Sequence, residues 1–196
     1  MLQSLLVSTT VVALAEIGDK TQLLSLMLAA RYRKPLPVIA GVLAATLVNH
    51  ACAGGIGSLV AGVLNAGILN WCIVASFVLM AAWILVPDKL DEDEVHLPKR
   101  AMGVFGSTLI AFFLAEMGDK TQLVTIALAA RYQDYVSVVA GTTVGMLLAN
   151  VPVIYLGSRF SRRLPARAIH LIAAALFVLL GGFALRNALA GTPLVG

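Results

Sequence analysis

The chain has 196 residues, of which 60% are hydrophobic and 12% charged, and its mean hydropathy is +0.93. Soluble domains are about 45–50% apolar and about 25% charged, so this composition excludes a soluble fold and makes lipid the expected solvent. The net charge of +4 comes from basic residues in short loops between apolar runs. That placement indicates orientation in a bilayer, and no nucleic-acid partner is expected.

Polar residues divide the chain into six apolar stretches. They cover residues 3–30, 36–63, 67–87, 101–130, 135–158 and 166–189. A spanning helix needs about 20 mostly apolar residues, so each stretch is predicted to cross the membrane once. The first and fourth stretches are long for simple spans, which allows either a tilt or a break near a glycine inside them. The predicted fold class is an all-α integral membrane protein with six transmembrane helices.

The second half of the chain repeats the first. Residues 14–23 and 114–123 both read Leu-Ala-Glu-(Ile/Met)-Gly-Asp-Lys-Thr-Gln-Leu, and further identities at the same offset of 100 reach the third stretch of each half. The expected units are a three-helix repeat at 1–87, a charged loop at 88–100 and a second three-helix repeat at 101–196. An odd number of spans makes the second unit enter from the opposite side. The repeats are therefore predicted to be inverted, as in many secondary transporters.

The charges of the loops predict the orientation. Ten lysines and arginines lie in loops on one side, and only Arg131 and Arg186 lie on the other. The positive-inside rule then places the 88–100 loop in the cytoplasm and both termini outside the cytoplasmic membrane. The sequence leaves open whether the protein forms a homo-oligomer.

Each repeated motif carries ionisable residues inside an apolar stretch, where such groups mark functional sites. The predicted cation ligands are the acids Glu16, Asp19, Glu116 and Asp119, and each motif adds one lysine, Lys20 or Lys120. On a continuous helix Glu16 and Asp19 share a face, and Glu16 and Lys20 have the spacing of an intrahelical ion pair. Two facing motifs carry a net charge of −2, which one divalent cation or two protons would neutralise. Competition between the two is the physical basis of an antiporter.

Oxygen ligands suit Mn²⁺, Ca²⁺ and Mg²⁺, and a motif without cysteine or histidine argues against a zinc or copper site. Other polar residues near the motifs are weaker candidates: Thr21, Gln22, Thr121, Gln122, Asn49 and Asn150. The hydroxyl of Thr21 is expected to bond a carbonyl one turn back. The glutamines offer amide oxygens or link helices, and the asparagines are candidates to complete a coordination shell. His50 is expected to be a satisfied buried histidine.

The two copies of Glu-x-Gly-Asp-Lys-Thr, at Glu16–Thr21 and Glu116–Thr121, resemble the mark of a known membrane family. That family carries two copies of Glu-x-Gly-Asp-(Lys/Arg)-(Thr/Ser) on six or seven helices. It includes bacterial manganese exporters and the Golgi manganese/calcium transporters of eukaryotes. The resemblance implies transport of Mn²⁺ or Ca²⁺ with protons as counter-ion, and export of Mn²⁺ in a prokaryotic cell. By motif match it implies that the four acids are the cation ligands.

Three other functions stay open at this stage. An exporter of a small organic cation or amino acid would need aromatic or amide groups around the motifs, and few are present. A passive divalent-cation channel would have the same ligands without proton coupling. An intramembrane enzyme would use the acids as a catalytic pair, which the neighbouring lysines fit poorly. The expectation is a transporter without prosthetic group and not an enzyme, with divalent cations, protons and the lipid bilayer as its partners.

Overall fold

The computed structural model describes residues 1–86, 102–156 and 166–190, and these ranges contain eight helices and no strand. The helices are α1 (Leu2–Glu16), α2 (Lys20–Tyr32), α3 (Pro35–Val63), α4 (Ala66–Trp83), α5 (Gly103–Glu116), α6 (Lys120–Tyr132), α7 (Tyr135–Leu156) and α8 (Ala166–Leu189). The prediction of an all-α protein is confirmed for the described chain. The charged loop at 88–100 lies outside the described residues, so the boundaries of the two repeats stay predictions.

The lengths and compositions of the helices fit a multi-pass membrane protein. Four helices, α3, α4, α7 and α8, are each long and apolar enough to cross a bilayer. Helices α1 and α2 form a fifth candidate span that is bent by 72° at its break. Helix α5 is apolar but shorter, with 14 residues, and α6 follows it after an equivalent break. The count of six spans and their inverted arrangement therefore stay predictions.

A glycine produces the break in each motif. Gly18 has a φ of +86° and Gly118 a φ of +75°, values in the left-handed region that glycine adopts at no steric cost. Helix α1 accordingly ends at Glu16 and α2 begins at Lys20, with the same pattern between α5 and α6. Of the two sequence-based possibilities, tilt or break, the structure has the break. The alternative of one continuous helix through the motif is wrong.

Helices of the first half pack against helices of the second half. Helix α1 lies against α7, helix α3 lies against α5 and α6, and α4 packs on α8. Glycines permit the closest approaches: a Cβ at Gly41 would lie 2.9 Å from the Phe105 carbonyl oxygen, and one at Gly145 would lie 2.6 Å from that of Thr9. Both motifs thus end in the same region of the interior, between helices from both halves.

Helices α2 and α6 have 13 residues each and nearly the same sequence, but they are buried to different extents. The second half of α6, at residues 127–130, is buried, and Gly57 of α3 packs against Ala129 and Ala130. In α2 the corresponding residues Met27 and Ala30 are exposed. The second half of α6 is therefore enclosed by other helices, whereas the equivalent part of α2 is more exposed.

Candidate metal centre

Each break is held by a glutamine that follows the motif. The Gly18 N–H donates to Gln22 Oε1 at 3.0 Å, and the Gly118 N–H donates to Gln122 Oε1 at 2.9 Å. Gln22 also donates its amide N–H to the Ala149 carbonyl of α7 at 3.1 Å, which is one of the two roles the sequence left open. The glutamines therefore satisfy the backbone where the helix is interrupted, and they hold the acids on either side of the glycine in place.

Three of the four predicted acidic ligands converge. Glu16, Asp19 and Asp119 are buried, and each offers a carboxylate oxygen within 4.8 Å of the others. Glu16 and Asp19 come from the first motif and Asp119 from the second, so both repeats contribute to one cluster. Such a set of oxygen ligands suits Mn²⁺, Ca²⁺ or Mg²⁺. Glu116 is also buried, but it lies outside this cluster.

The lysines of the motifs pair across the two halves. Lys20 Nζ lies 3.1 Å from Asp119 Oδ1, and Lys120 Nζ lies 3.5 Å from Asp19 Oδ1 and 3.3 Å from the Val86 carbonyl oxygen. The intrahelical pair of Glu16 with Lys20, expected from their spacing, is wrong because the break at Gly18 turns α2 away from α1. The lysine side chains differ in exposure, at 30% for Lys20 and 5% for Lys120. Cationic groups from both repeats thus lie directly beside the converging acids.

Within the described residues, only one of the two carboxylate oxygens of Glu16 accepts hydrogen bonds. Its Oε1 accepts from the Thr21 hydroxyl and from Asn150 Nδ2, the latter at 3.2 Å. Among the described residues, Oε2 of Glu16 has no hydrogen-bond partner. Ser25 in turn donates to Asn150 Oδ1 at 2.7 Å, which orients that amide with its N–H group toward Glu16. One oxygen of Glu16 is therefore held and the other remains available to a cation.

The carboxylate of Glu116 is occupied on both oxygens. Its Oε1 accepts from the Thr46 hydroxyl at 3.0 Å, and its Oε2 accepts from Asn49 Nδ2 at 3.2 Å. Asn49 also donates to the Phe113 carbonyl at 3.1 Å. Helix α3 thus holds Glu116 at the edge of the cluster. In this arrangement Asn49 and Asn150 are hydrogen-bond donors to the glutamates, and their roles as cation ligands stay predictions.

The two threonines of the motifs make different contacts. The Thr21 hydroxyl bonds Glu16, so the expected bond to a backbone carbonyl one turn back is wrong. Thr121 donates its N–H and its hydroxyl to Asp119 Oδ2 at 3.4 and 3.3 Å, and Asp119 thereby caps the start of α6. Asp19 occupies the same position before α2 without a side-chain cap.

Thr46 and His170 lie beside the motifs, although neither was among the residues predicted for the site. Thr46 bonds Glu116, and a signal was available because Thr46, Asn49 and His50 share one face of α3. His170 of α8 lies with Nε2 2.6 Å from the Ile17 carbonyl oxygen, inside the first break. His50 is buried, but both of its ring nitrogens lack a hydrogen-bond partner in the described ranges, so the expectation of a satisfied histidine is wrong.

A comparison with protein families places this centre in a known context. The model described as "Divalent cation/proton antiporter GDT1" matches residues 4–92 and 104–192, which covers both repeats. The chain belongs to the GDT1 family. The resemblance drawn from the twin motifs is thereby confirmed, and the protein is a membrane transporter of divalent cations. The family is one of transporters and not of enzymes.

Individual members of the GDT1 family are similar to most of this chain. A Vibrio cholerae protein named "Putative manganese exporter" is 54% identical over 177 residues, which are 90% of this chain and 87% of that protein. A GDT1-like protein of Synechocystis is 28% identical over 91% of this chain and 95% of its own length. GDT1-like protein 3 of Arabidopsis thaliana is 25% identical over 87% of this chain and 66% of its own length. No solved structure matches.

Proposed function

We propose that the protein exports Mn²⁺ from the cytoplasm in exchange for protons, by alternating access around one centre built from both motifs. The observation that carries this proposal is the convergence of Glu16, Asp19 and Asp119, with carboxylate oxygens within 4.8 Å of one another. Proton exchange is supported by the description of the family, and Mn²⁺ by the name of the Vibrio cholerae relative. Ca²⁺ accepts the same oxygen ligands and is the second candidate substrate.

In the proposed exchange, two protons on the acids neutralise the centre when no cation is bound, and the lysines stay beside the aspartates. With all groups ionised, the acids and lysines of the two motifs carry a net charge of −2, which matches one divalent cation. Lys20 and Lys120 lie beside Asp119 and Asp19 and screen them from each other. We propose that an entering cation takes the place of the Lys20 ammonium group beside Asp119, because Lys20 is the more exposed of the two lysines. Glu116 would join the ligand set when α3 releases it.

The difference between α2 and α6 gives this cycle a direction in the present structure. Helix α6 is packed against Gly57 along its second half, while α2 is partly exposed. Under the predicted topology the loop after α2 is cytoplasmic, and we propose that Mn²⁺ enters this arrangement from the cytoplasm. Exchange of the two packings would open the opposite side. The same predicted topology places both termini outside the cytoplasmic membrane.

Flux in proteoliposomes tests the proposal. Purified protein is reconstituted, Mn²⁺ is added outside, and internal Mn²⁺ and pH are followed with two dyes. We expect saturable Mn²⁺ uptake together with proton release, and loss of both in Glu16→Gln, Asp19→Asn and Asp119→Asn. Asp134→Asn is the matched control, since it removes a carboxylate that lies outside the centre.

Other outcomes separate the rival functions. Mn²⁺ uptake without proton movement would contradict antiport and indicate a channel. Absence of divalent flux from a folded protein would contradict the metal assignment, and an organic cation would then be the substrate to test. Transport that survives in Asp19→Asn and Asp119→Asn would contradict the centre proposed here.

A further inference from the structure

A cleft lined by two basic side chains lies at the surface between the end of α2 and the start of α5, away from the acidic centre. Its volume is about 170 Å³, and it is lined by Arg31, Tyr32, Lys34, Gly103, Val104 and Ser107. These residues end α2, precede α3 or lie in the first turns of α5, so the cleft sits where helices end and lipid headgroups are expected. The transport centre makes no use of it.

Ser107 is the buried polar group of this cleft. Its residue surface is 0% exposed, and its hydroxyl has no hydrogen-bond partner among the described residues. A buried hydroxyl without a partner is unfavourable by about 1–3 kcal/mol, and a bound ligand is one way to provide the missing partner. Ser107 lines the cleft, and its O–H would donate a hydrogen bond to a bound acceptor once the side chain turns toward it.

The charges around the cleft are positive. Arg31 and Lys34 line it, and both are exposed. In the described part of the chain no carboxylate lies within 4.0 Å of either cationic group. Two cations and one hydroxyl donor form a set that recognises an anion, and a phosphate group offers several acceptor oxygens to such a set.

The second repeat has an acidic residue where the first repeat has Lys34. Asp134 occupies the position that corresponds to Lys34 at the offset of 100 residues. Its carboxylate accepts the Ser4 hydroxyl at 2.7 Å and so ties the start of α1 to the loop before α7. In the first repeat a lysine replaces this carboxylate, and the equivalent start of α5 has no acidic partner from the loop. Among the described residues no carboxylate pairs with Arg31 or Lys34, and an anion bound in the cleft would supply a negative charge there.

We propose that this cleft binds the phosphate of an anionic phospholipid headgroup, with Arg31 and Lys34 as cationic partners and the Ser107 hydroxyl as donor. A lipid fits better than a free ion because α5 is an apolar helix whose exposed side chains, such as Phe105, continue from the cleft along the membrane-facing surface. Basic clefts between helices at the cytoplasmic surface are a known type of headgroup site. The headgroup would join α2 to α5 at the end where α2 is more exposed.

Native mass spectrometry of the full chain tests the proposal. The protein is released from micelles that contain phosphatidylglycerol or phosphatidylcholine, and the retained lipid is counted. We expect one retained phosphatidylglycerol molecule, with retention reduced about tenfold in Lys34→Gln and in Ser107→Ala, the loss typical of one charge-assisted hydrogen bond. Arg33→Gln is the matched control because it removes a neighbouring positive charge that does not line the cleft.

Ser107→Ala also guards against a merely structural effect. Removing a buried hydroxyl without a partner should leave the melting temperature of the lipid-free protein unchanged or raise it, while lipid retention falls. Equal retention in all variants, or equal losses in Arg33→Gln and Lys34→Gln, would overturn the proposal. Displacement of the lipid by millimolar inorganic phosphate, with full retention of that ion, would overturn the lipid assignment in favour of a free anion.

Discussion

The two copies of the motif have the same local structure but different surroundings. In both, a glycine with positive φ breaks the helix, a glutamine accepts the N–H of that glycine, and a lysine pairs with the aspartate of the other copy. The glutamates differ: Glu16 has one oxygen without a hydrogen-bond partner in the described residues, and both oxygens of Glu116 accept bonds from α3. The motif therefore determines the break, whereas the neighbouring helices determine which glutamate faces the cluster.

The two halves supply different hydrogen-bond donors to their glutamates. Thr46 in α3 donates to Glu116, and the residue at the corresponding position of α7 is Met146, which cannot donate a hydroxyl proton. One glutamate of the duplicated motif is thus hydrogen-bonded on both oxygens while the other keeps one oxygen for a cation. The following predictions test that asymmetry, from the largest expected effect to the smallest.

The largest effect is expected from the glutamates themselves. Glu16→Gln should weaken Mn²⁺ binding more than about 100-fold, because it removes the charge of a proposed direct ligand, whereas loss of an outer partner costs about 10- to 100-fold. Glu116→Gln should weaken binding by no more than about tenfold, since its oxygens already accept bonds from Thr46 and Asn49. Calorimetric titration in detergent measures both values. Equal losses would contradict the asymmetry.

A smaller effect is expected from the residues that orient the glutamates. Asn150→Ala should weaken Mn²⁺ binding about 10- to 100-fold, because Glu16 loses the donor that holds its Oε1. Thr46→Val keeps the shape of the side chain and removes the donor to Glu116. Thr46→Val should change Mn²⁺ affinity by less than about threefold. Losing a hydrogen-bond donor to Glu116, which lies outside the cluster, should cost less affinity than losing a donor to a ligand. A larger loss of Mn²⁺ affinity in Thr46→Val than in Asn150→Ala would indicate that Glu116, and not Glu16, is the glutamate that binds the cation.

The packing of α6 on α3 offers a third test. A Cβ at Gly57 would overlap the Ile126 carbonyl oxygen and lie 2.9 Å from the Ala129 Cβ, so Gly57→Ala should oppose the closed packing by about 1–3 kcal/mol. A cysteine at position 130, in a chain without Cys52 and Cys72, should then react faster with a maleimide. Gly62→Ala is the control on the same helix, because a Cβ there meets nothing within 4 Å. An unchanged rate in Gly57→Ala would show that α6 does not close that side.

The smallest effect is expected at the contact of Asp134 with Ser4. Hydrogen bonds from Ser4, the largest contribution, and from Ser137 and the N-terminal amino group lower the pKa of Asp134 from 3.8 to about 2. A lowered pKa means that the contact stabilises the folded protein above about pH 4, and that this contribution is lost as the pH falls through about 2. Asp134→Asn should lower the melting temperature by at most about 4 °C at pH 6, and the difference should shrink toward pH 2. A difference that persists at low pH would contradict this assignment.

Much of the architecture followed from composition and spacing, because lipid leaves few options for a chain this apolar. The helical class, the buried acids and the possibility of a break at Gly18 were all predictable. The pairing of Lys20 was not, since helical spacing favours Glu16 and only the left-handed glycine redirects α2 toward the other repeat. Asn49 and Asn150 looked equivalent, yet at the offset of 100 residues Asn150 corresponds to His50. One residue of shift on a helix changes which side chain meets a glutamate, and that depends on packing between distant segments.

The most direct test of the account is the number of Mn²⁺ ions that one chain binds. Electron paramagnetic resonance of the purified protein, titrated with Mn²⁺, counts bound ions in the wild type, in Asp19→Asn and in Asp119→Asn. A centre shared by both motifs predicts one bound ion per chain, and its loss in either variant. Two ions per chain, each removed by only one of the two substitutions, would show two separate sites and contradict the shared centre.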